Sequence, residues 1–309
     1  VLNVSLHPNT QRLDEVVVTG YGNFSKSSFT GSANTLRGDL LKNVPVVSVE
    51  QKLQGMTPGV SISGNSGQPG ANQSIRIRGM GSFNASKEPL FVIDGVPVTS
   101  GSLSGGSADA AYMNNSKTNI MSTLNPSDIE NITVIKDAAA ASLYGSRAAN
   151  GVIIVTTKKG AKGPMKVNVS VKETLEWSPK YDLMNAKEYI KYNDIAYNEA
   201  IKNGVATVNS TQKHSEFDTN WQDEVLKTAL VQDYNVSLSG GGDSGNYFVS
   251  AGYYNNDGVS YGNTFDRYSF RVNTQGKKGW FSFGENLAYS LTNTDPNQTN
   301  TYNDFLRMM

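Results

Sequence analysis

Few side chains in these 309 residues could carry bond chemistry, and most of those are carboxylates. Asp128 with Glu130, and Asp94 with Asp137, are pairs that a fold could present as the acid and base of a glycan hydrolase. Asp128 and Glu130 fall in an expected helical turn ahead of a strand, where acids commonly serve as caps, and the cap reading is preferred. There is no Cys, and His7 and His214 are the only histidines, the second inside the polar run Thr211-Gln212-Lys213-His214-Ser215. Cys/His metal sites and His-based nucleophile pairs therefore lack material. The expectation is a protein that is not an enzyme and has neither metal nor cofactor. Two other constellations stand out, although by themselves both read as ordinary strands, the first as a strand of a soluble domain and the second as one with a buried face. Leu13-Asp14-Glu15-Val16-Val17-Val18-Thr19-Gly20-Tyr21-Gly22 is a short β-branched strand behind two acids, and such a segment can join another protein's sheet edge through its backbone. Ser74-Ile75-Arg76-Ile77-Arg78 alternates, so Arg76 and Arg78 share one face, where guanidinium groups would seek carboxylates.

The elements that must position these groups sit in an unusual composition. Charged residues make up 17%, below the roughly 25% of an ordinary soluble domain, while Gly (30) and Tyr (15) are plentiful. Lys+Arg and Asp+Glu balance at 27 each, so no overall field draws the chain to nucleic acid. No apolar run approaches the ~18 residues of a membrane-spanning helix, so any span would be a strand of a closed barrel.

Residues 23 to 160 read as mixed α/β. Ser48-Val49-Glu50-Gln51 is a capping box opening a helix that Gly55 ends. Leu90-Phe91-Val92-Ile93 meets the tight-turn pair Asp94-Gly95 and then Val96-Pro97-Val98. Residues 99 to 125 are rich in Ser, Gly and Asn and read as a long loop. Ile132 to Ile135 is a strand, Asp137 caps a helix over Ala138 to Leu143 that Gly145 stops, and Val152 to Thr157 is a fully buried strand.

After Lys166 the pattern changes to long alternating strands. Val167, Val169, Val171, Leu175 and Trp177 make the first apolar row, Tyr234, Val236 and Leu238 the second. Tyr247, Val249, Ala251 and Tyr253 follow, then Tyr268, Phe270 and Val272, then Phe281, Phe283, Leu287, Tyr289 and Leu291. Such dyads, with aromatic residues near the strand ends and alternately long and short connections, are the pattern of a membrane barrel with long external loops. A helix is expected over Ala186 to Ala200 in the first long loop. Glu173 and Glu285 share parity with the apolar rows, so each should sit at a β-bulge or near the membrane rim.

These residues resemble the TonB-dependent outer-membrane transporters of the SusC/RagA family. Leu13 to Gly22 resembles that family's TonB box. Ser74 to Gly79 with Pro89 to Pro97, and Asn125 to Ile132 continuing through Tyr144-Gly145-Ser146-Arg147-Ala148-Ala149-Asn150-Gly151 to Gly160, resemble its plug signatures. The implied fold class is an α+β plug followed by the first (about five) antiparallel strands of a transmembrane β-barrel, incomplete in this chain because a full member has about 22 strands. The implied domains are 1-10, the end of an upstream small β-domain; 11-22, TonB box and linker; 23-160, the plug; and 161-309, the first barrel strands with external loop 178-230. An upstream signal peptide and further downstream strands are expected.

The resemblance implies residence in the Gram-negative outer membrane with the plug on the periplasmic side, and import of an oligosaccharide or peptide. TonB, with its ExbB/ExbD energy complex, would grip Asp14, Glu15, Val16, Val17, Val18 and Thr19, and a SusD-like surface lipoprotein would lid the barrel. Arg76 and Arg78 would be plug-to-barrel latches, and the loops Gly79 to Glu88 and Thr99 to Thr123 are the candidates to touch substrate. The alternative is a TonB-dependent receptor acting mainly in ligand binding and signalling. No nucleic-acid partner is expected.

Overall fold

The computed structural model describes residues 16–19, 22–25, 32–41, 49–64, 69–71, 73–79, 88–98, 120–137, 141–205 and 218–295. Residues 1–10, and Asp14 and Glu15, lie outside these. β1 (Val16–Thr19) and β2 (Gly22–Ser25) form an antiparallel hairpin in which Val17 faces Phe24.

The α/β unit contains β3 (Ala33–Arg37), the short helices α1 (Gly38–Leu41) and α2 (Val49–Leu53), β4 (Val60–Gly64), β5 (Gln73–Ile77), β6 (Leu90–Ile93), β7 (Val96–Val98), β8 (Ile129–Ile135) and β9 (Val152–Thr157). Its main sheet has the order β3-β8-β9-β6-β7, with β6 and β9 parallel and the other pairs antiparallel. The unbroken apolar runs of β6 and β9 follow from burial on both faces. Phe91, Ile153 and Val155 pack with Val49, Leu53, Ile62, Ile75 and Met121 on one side. Leu90, Val92, Val152 and Ile154 pack with Ala141 and Ala148 on the other. The Asp94-Gly95 pair makes the tight turn between β6 and β7, with φ of 48° and 88°.

Three local expectations change. β5 pairs with β4 in a separate two-stranded ribbon, and Arg78 at φ 57° has already left the strand. Glu130 lies in β8, because the turn before it closes at Pro126–Asp128 under an Asn125 cap that accepts from the Ser127 amide at 2.9 Å. Of the helix expected over Ala138 to Leu143, residues 138–140 lie outside the described ones and the Ala141 amide bonds the Asp137 carbonyl at 2.9 Å, but Ser142 and Leu143 belong to the 3-10 turn Ser142–Tyr144, which Gly145 at φ 78° separates from a second, Ser146–Ala148.

The second unit is an antiparallel meander of β10 (Gly163–Glu176), β11 (Ala229–Gly241), β12 (Gly245–Asn256), β13 (Thr264–Lys278) and β14 (Phe281–Asp295), paired in that order. It does not close on itself. Its connections alternate as expected: the first carries α3 (Ala186–Lys202) and α4 (Trp221–Val225), the second is residues 242–244, the third 257–263, and the fourth only Gly279-Trp280. α3 starts on a capping box of Asn185 with Glu188.

Register brings the apolar positions into rows on one face. Val171, Tyr234, Tyr253, Tyr268 and Leu291 align, as do Val169, Val236, Ala251, Phe270 and Tyr289, and Val167, Leu238, Val249, Val272 and Leu287. Val169, Phe270 and Tyr289 are exposed. This face does not stack into a dry interior; it forms an apolar outer band. Three Tyr rings at one margin, 6.2 and 5.0 Å apart in sequence, make the aromatic belt expected at a membrane interface. Both outward acids lie at the band's margins. Glu173 is level with Gln232, Asn255, Asp266 and Asn293 and accepts from the Tyr234 hydroxyl at 2.8 Å, while Glu285 is level with Thr274 near the short-turn end. The bulge in β10 lies elsewhere, between Gly163 and Lys166.

Candidate functional site: the seam between the α/β unit and the strand wall

Alternation makes the opposite face of the meander polar, and the α/β unit seats against it along β13. Each inward residue of β13 meets the unit at a successive level. Gly70 lies on the Phe265 ring so closely that a Cβ there would stand 2.5 Å from it, and its φ of 76° suits glycine alone. Arg267 comes next: Nη1 donates to the carbonyls of Ser122 (2.8 Å) and Leu124 (3.2 Å), and its guanidinium sits 5.2 Å from the Tyr254 ring centre. Asn125 donates to Ser269 Oγ (3.2 Å) and to Asn235 Oδ1 (2.6 Å), a reach that only Gly252 permits, because a Cβ there would stand 2.5 Å from Asn125 Nδ2.

Arg271 follows at the centre. It lies 3.5 Å from Asp94 Oδ2 and 3.6 Å from Asp128 Oδ2, and it donates to Thr157 Oγ1 at 3.3 Å and Asn286 Oδ1 at 3.1 Å. Asn273 donates to Thr157 Oγ1 (3.1 Å) and the Lys158 carbonyl (2.6 Å). Below it, Gly160 packs on the Tyr247 backbone, where a Cβ would stand 2.3 Å from a carbonyl oxygen.

Asp94 therefore does more than turn the chain. Its carboxylate accepts from the Thr157 amide (2.8 Å), from Thr157 Oγ1 (2.7 Å) and from Asn286 Nδ2 (2.6 Å). Burial pushes the Asp128 carboxyl above the usual range, and the nearby Arg271 charge opposes that shift. On the other flank, burial lowers the Lys52 ammonium of α2 to about 8; Lys172 and Arg267 nearby add to the effect and Asp233 opposes it. The carboxylates weighed as an acid–base pair are thus held as structural anchors, with Asp128 facing a guanidinium instead of Glu130. Among the described residues no cluster of three or more His, Cys, Asp or Glu side chains could hold a metal.

Arg76 and Arg78 are exposed, and neither enters an ion pair among the described residues. The ion pairs that cross the seam run the other way, from Arg271 of the wall to Asp94 and Asp128 of the α/β unit. Of the loop Gly79 to Glu88 only the end residues are described. Of Thr99 to Thr123 only Ile120–Thr123 are, as a 3-10 turn with Met121 fully buried. Arg267 and Arg271 were legible only as polar members of an alternating strand. Two arginines four residues apart on one inward face were the available signal, because a water-lined wall gives no reason for that pairing.

A polar-lined strand wall carrying a seated α/β unit is the architecture of a stoppered pore. Residues 25–152 match the TonB-dependent Receptor Plug Domain family. Over 306 residues, 98% of this chain and 28% of the relative, the chain is 36% identical to TonB-dependent receptor SusC of Bacteroides thetaiotaomicron. The chain belongs to the SusC/RagA family of TonB-dependent receptors. In SusC/RagA terms the α/β unit is the plug and the meander a part of the barrel wall. A TonB-dependent receptor of Formosa agariphila is 35% identical over 88% of this chain and 24% of its own length. The solved RagAB peptide importer in its open-open state superposes with a TM-score of 0.71 at 28% identity, covering 91% of this chain and 32% of that one. The chain thus spans about a third or less of the relatives it matches.

Proposed function

We propose that the full protein imports an oligosaccharide or peptide nutrient across the Gram-negative outer membrane, driven by TonB and its ExbB/ExbD complex. The observation that carries this is the sidedness of the wall: apolar rows on the outer face, and on the inner face a polar ladder occupied by a plug. A stopper held by discrete polar bonds, with a strand-forming segment ahead of it, suits opening by a pull from the periplasm. Asp14 to Thr19 are the proposed TonB-binding residues, pairing through the backbone, with Asp14 and Glu15 aiding encounter with a basic partner. A SusD-like lipoprotein is the proposed external lid, supported by the similarity to SusC and to the RagAB peptide importer. Arg76 and Arg78 remain proposed latches, toward carboxylates of wall strands beyond the five present here, and the loops Gly79 to Glu88 and Thr99 to Thr123 remain proposed substrate contacts.

Val17→Pro tests the pull. It removes one backbone donor from a strand that must pair. Uptake should fail while surface binding of cargo survives, and normal uptake in that variant would refute the assignment.

A further inference from the structure

The outer band ends differently at its two margins. At the long-connection margin the outer-face charges of the strands, among the described residues, are Glu173, Asp266 and Asp295, and the rings are Tyr234, Tyr253 and Tyr268. At the short-turn margin the β13–β14 hairpin carries Trp280, Phe281 and Phe283, and its outermost charges are Lys277 and Lys278. Glu285 lies two levels nearer the band, beside Thr274. Asp243 of the neighbouring turn is paired with Lys162, whereas neither Lys277 nor Lys278 enters an ion pair among the described residues.

The hairpin holds its rings out in a continuous strip. A Cβ at Gly276 would stand 2.2 Å from the Phe283 ring, so glycine lets that ring lie across β13. Phe281 stacks on Phe283 with ring centres 6.3 Å apart, and Trp280 meets Phe281 edge-on at 6.2 Å. At the tip Gly279, with φ 61°, turns the chain and leaves Trp280 94% exposed. An indole suits the boundary between membrane and water, because its ring is apolar and its N–H can donate. Beside the tip the Lys277 amide donates to the Ser244 carbonyl at 2.8 Å. A cleft of about 400 Å³ opens there, lined by Lys277, Ser244, Asn246, Ser282 and the paired Asp243.

We propose that this tip binds the phosphodiester of an anionic glycerophospholipid. Lys277 and Lys278 hold the phosphate, Trp280 sits at the glycerol level, and the acyl chains lie along Phe281 and Phe283. The inference rests on the barrel-wall reading above. Charge selects the headgroup: two ammonium groups without a carboxylate partner match a lipid of net negative charge, whereas a zwitterionic headgroup would bring its own cation to them. The aromatic strip selects a lipid over free phosphate, which would leave three rings in water. The opposite margin offers acids where this headgroup needs a cation, so the site belongs to the leaflet at the short-turn end.

The test uses the full-length protein in vesicles of phosphatidylcholine with a minor share of phosphatidylglycerol. A benzophenone side chain replaces Trp280 in one preparation and Phe270, in the middle of the band, in another; the crosslinked lipids are identified by mass spectrometry. Each lysine near an anionic surface is worth roughly fivefold in local affinity, so phosphatidylglycerol should be enriched at position 280 by roughly 25-fold over its share of the vesicle. Lys277→Gln with Lys278→Gln should return that ratio to the bulk value, while the probe at position 270 reports bulk lipid throughout. Bulk ratios at position 280, or enrichment that survives both substitutions, overturns the headgroup site. So does enrichment abolished by inorganic phosphate at matched ionic strength, which would make free phosphate the ligand. Lipid captured at position 270 but not at 280 overturns the site and leaves the wall reading standing. Capture at neither position overturns the wall reading itself.

Discussion

Arg271→Ala removes the cation on which two plug carboxylates converge. The Arg271 and Asp128 side chains are 6% and 5% exposed, so water cannot replace the lost partner. Breaking a buried pair from one side costs about 3–5 kcal/mol, most of it the uncompensated charge left behind. The contacts here are 3.5 and 3.6 Å, long for charge-assisted bonds, which favours the lower end. Two further hydrogen bonds, to Thr157 and Asn286, go with them. About 3 kcal/mol corresponds to roughly two decades in a local opening equilibrium. Hydrogen exchange in the purified full-length protein reads this, in peptides covering β8 and β9, which carry Asp128's neighbour Ile129 and Thr157. Exchange should quicken by about that factor in both strands. Adding Asp128→Asn should recover part of the loss, because the stranded charge is gone. A change below about threefold in the single variant would show that Arg271 does not seat the plug, and the ladder account would fail at its centre.

Phe270→Arg places a charge in the middle of the outer band and should cost about 2–4 kcal/mol of insertion stability, whereas Asp266→Arg, at the polar margin, should cost near nothing; folding into vesicles against urea measures both. Asp128→Asn tests the pH dependence of the seat. Because burial raises the folded-state pKa of Asp128, its contribution is fully present below the ordinary carboxylate value of about 3.9 and is lost as pH rises through the raised value. The stability of wild type minus variant should therefore fall with rising pH across that window, as followed by thermal unfolding; a flat difference would contradict it. Gly70→Ala combines a left-handed backbone with a Cβ 2.5 Å from the Phe265 ring, and about 1–3 kcal/mol should be lost, read as a lowered Tm.

The amino-acid sequence alone determined what is periodic or local. Alternation after Lys166 marked each strand of the meander and the face it turns outward, because side-chain direction in a strand has period two. The runs at Leu90 and Val152 marked strands buried on both faces, and Asp94-Gly95 marked its own turn, since backbone conformation there is a property of those two residues. Asn185 with Glu188 bounds α3 in the same way.

What only the tertiary structure decided is non-local. Nothing near Arg271 in the chain says that Asp94 and Asp128 will meet it, 177 and 143 positions away, since pairing across that distance depends on how the sheets dock. For the same reason the sequence names no partner for Arg76 and Arg78: alternation fixes a face, and only packing says what that face meets. The short strand β3 escaped notice because Ala33–Arg37 carries too few apolar residues to show a period, and β4 because the alternation of Val60-Ser61-Ile62-Ser63 spans only four residues; they are strands paired with β8 and β5.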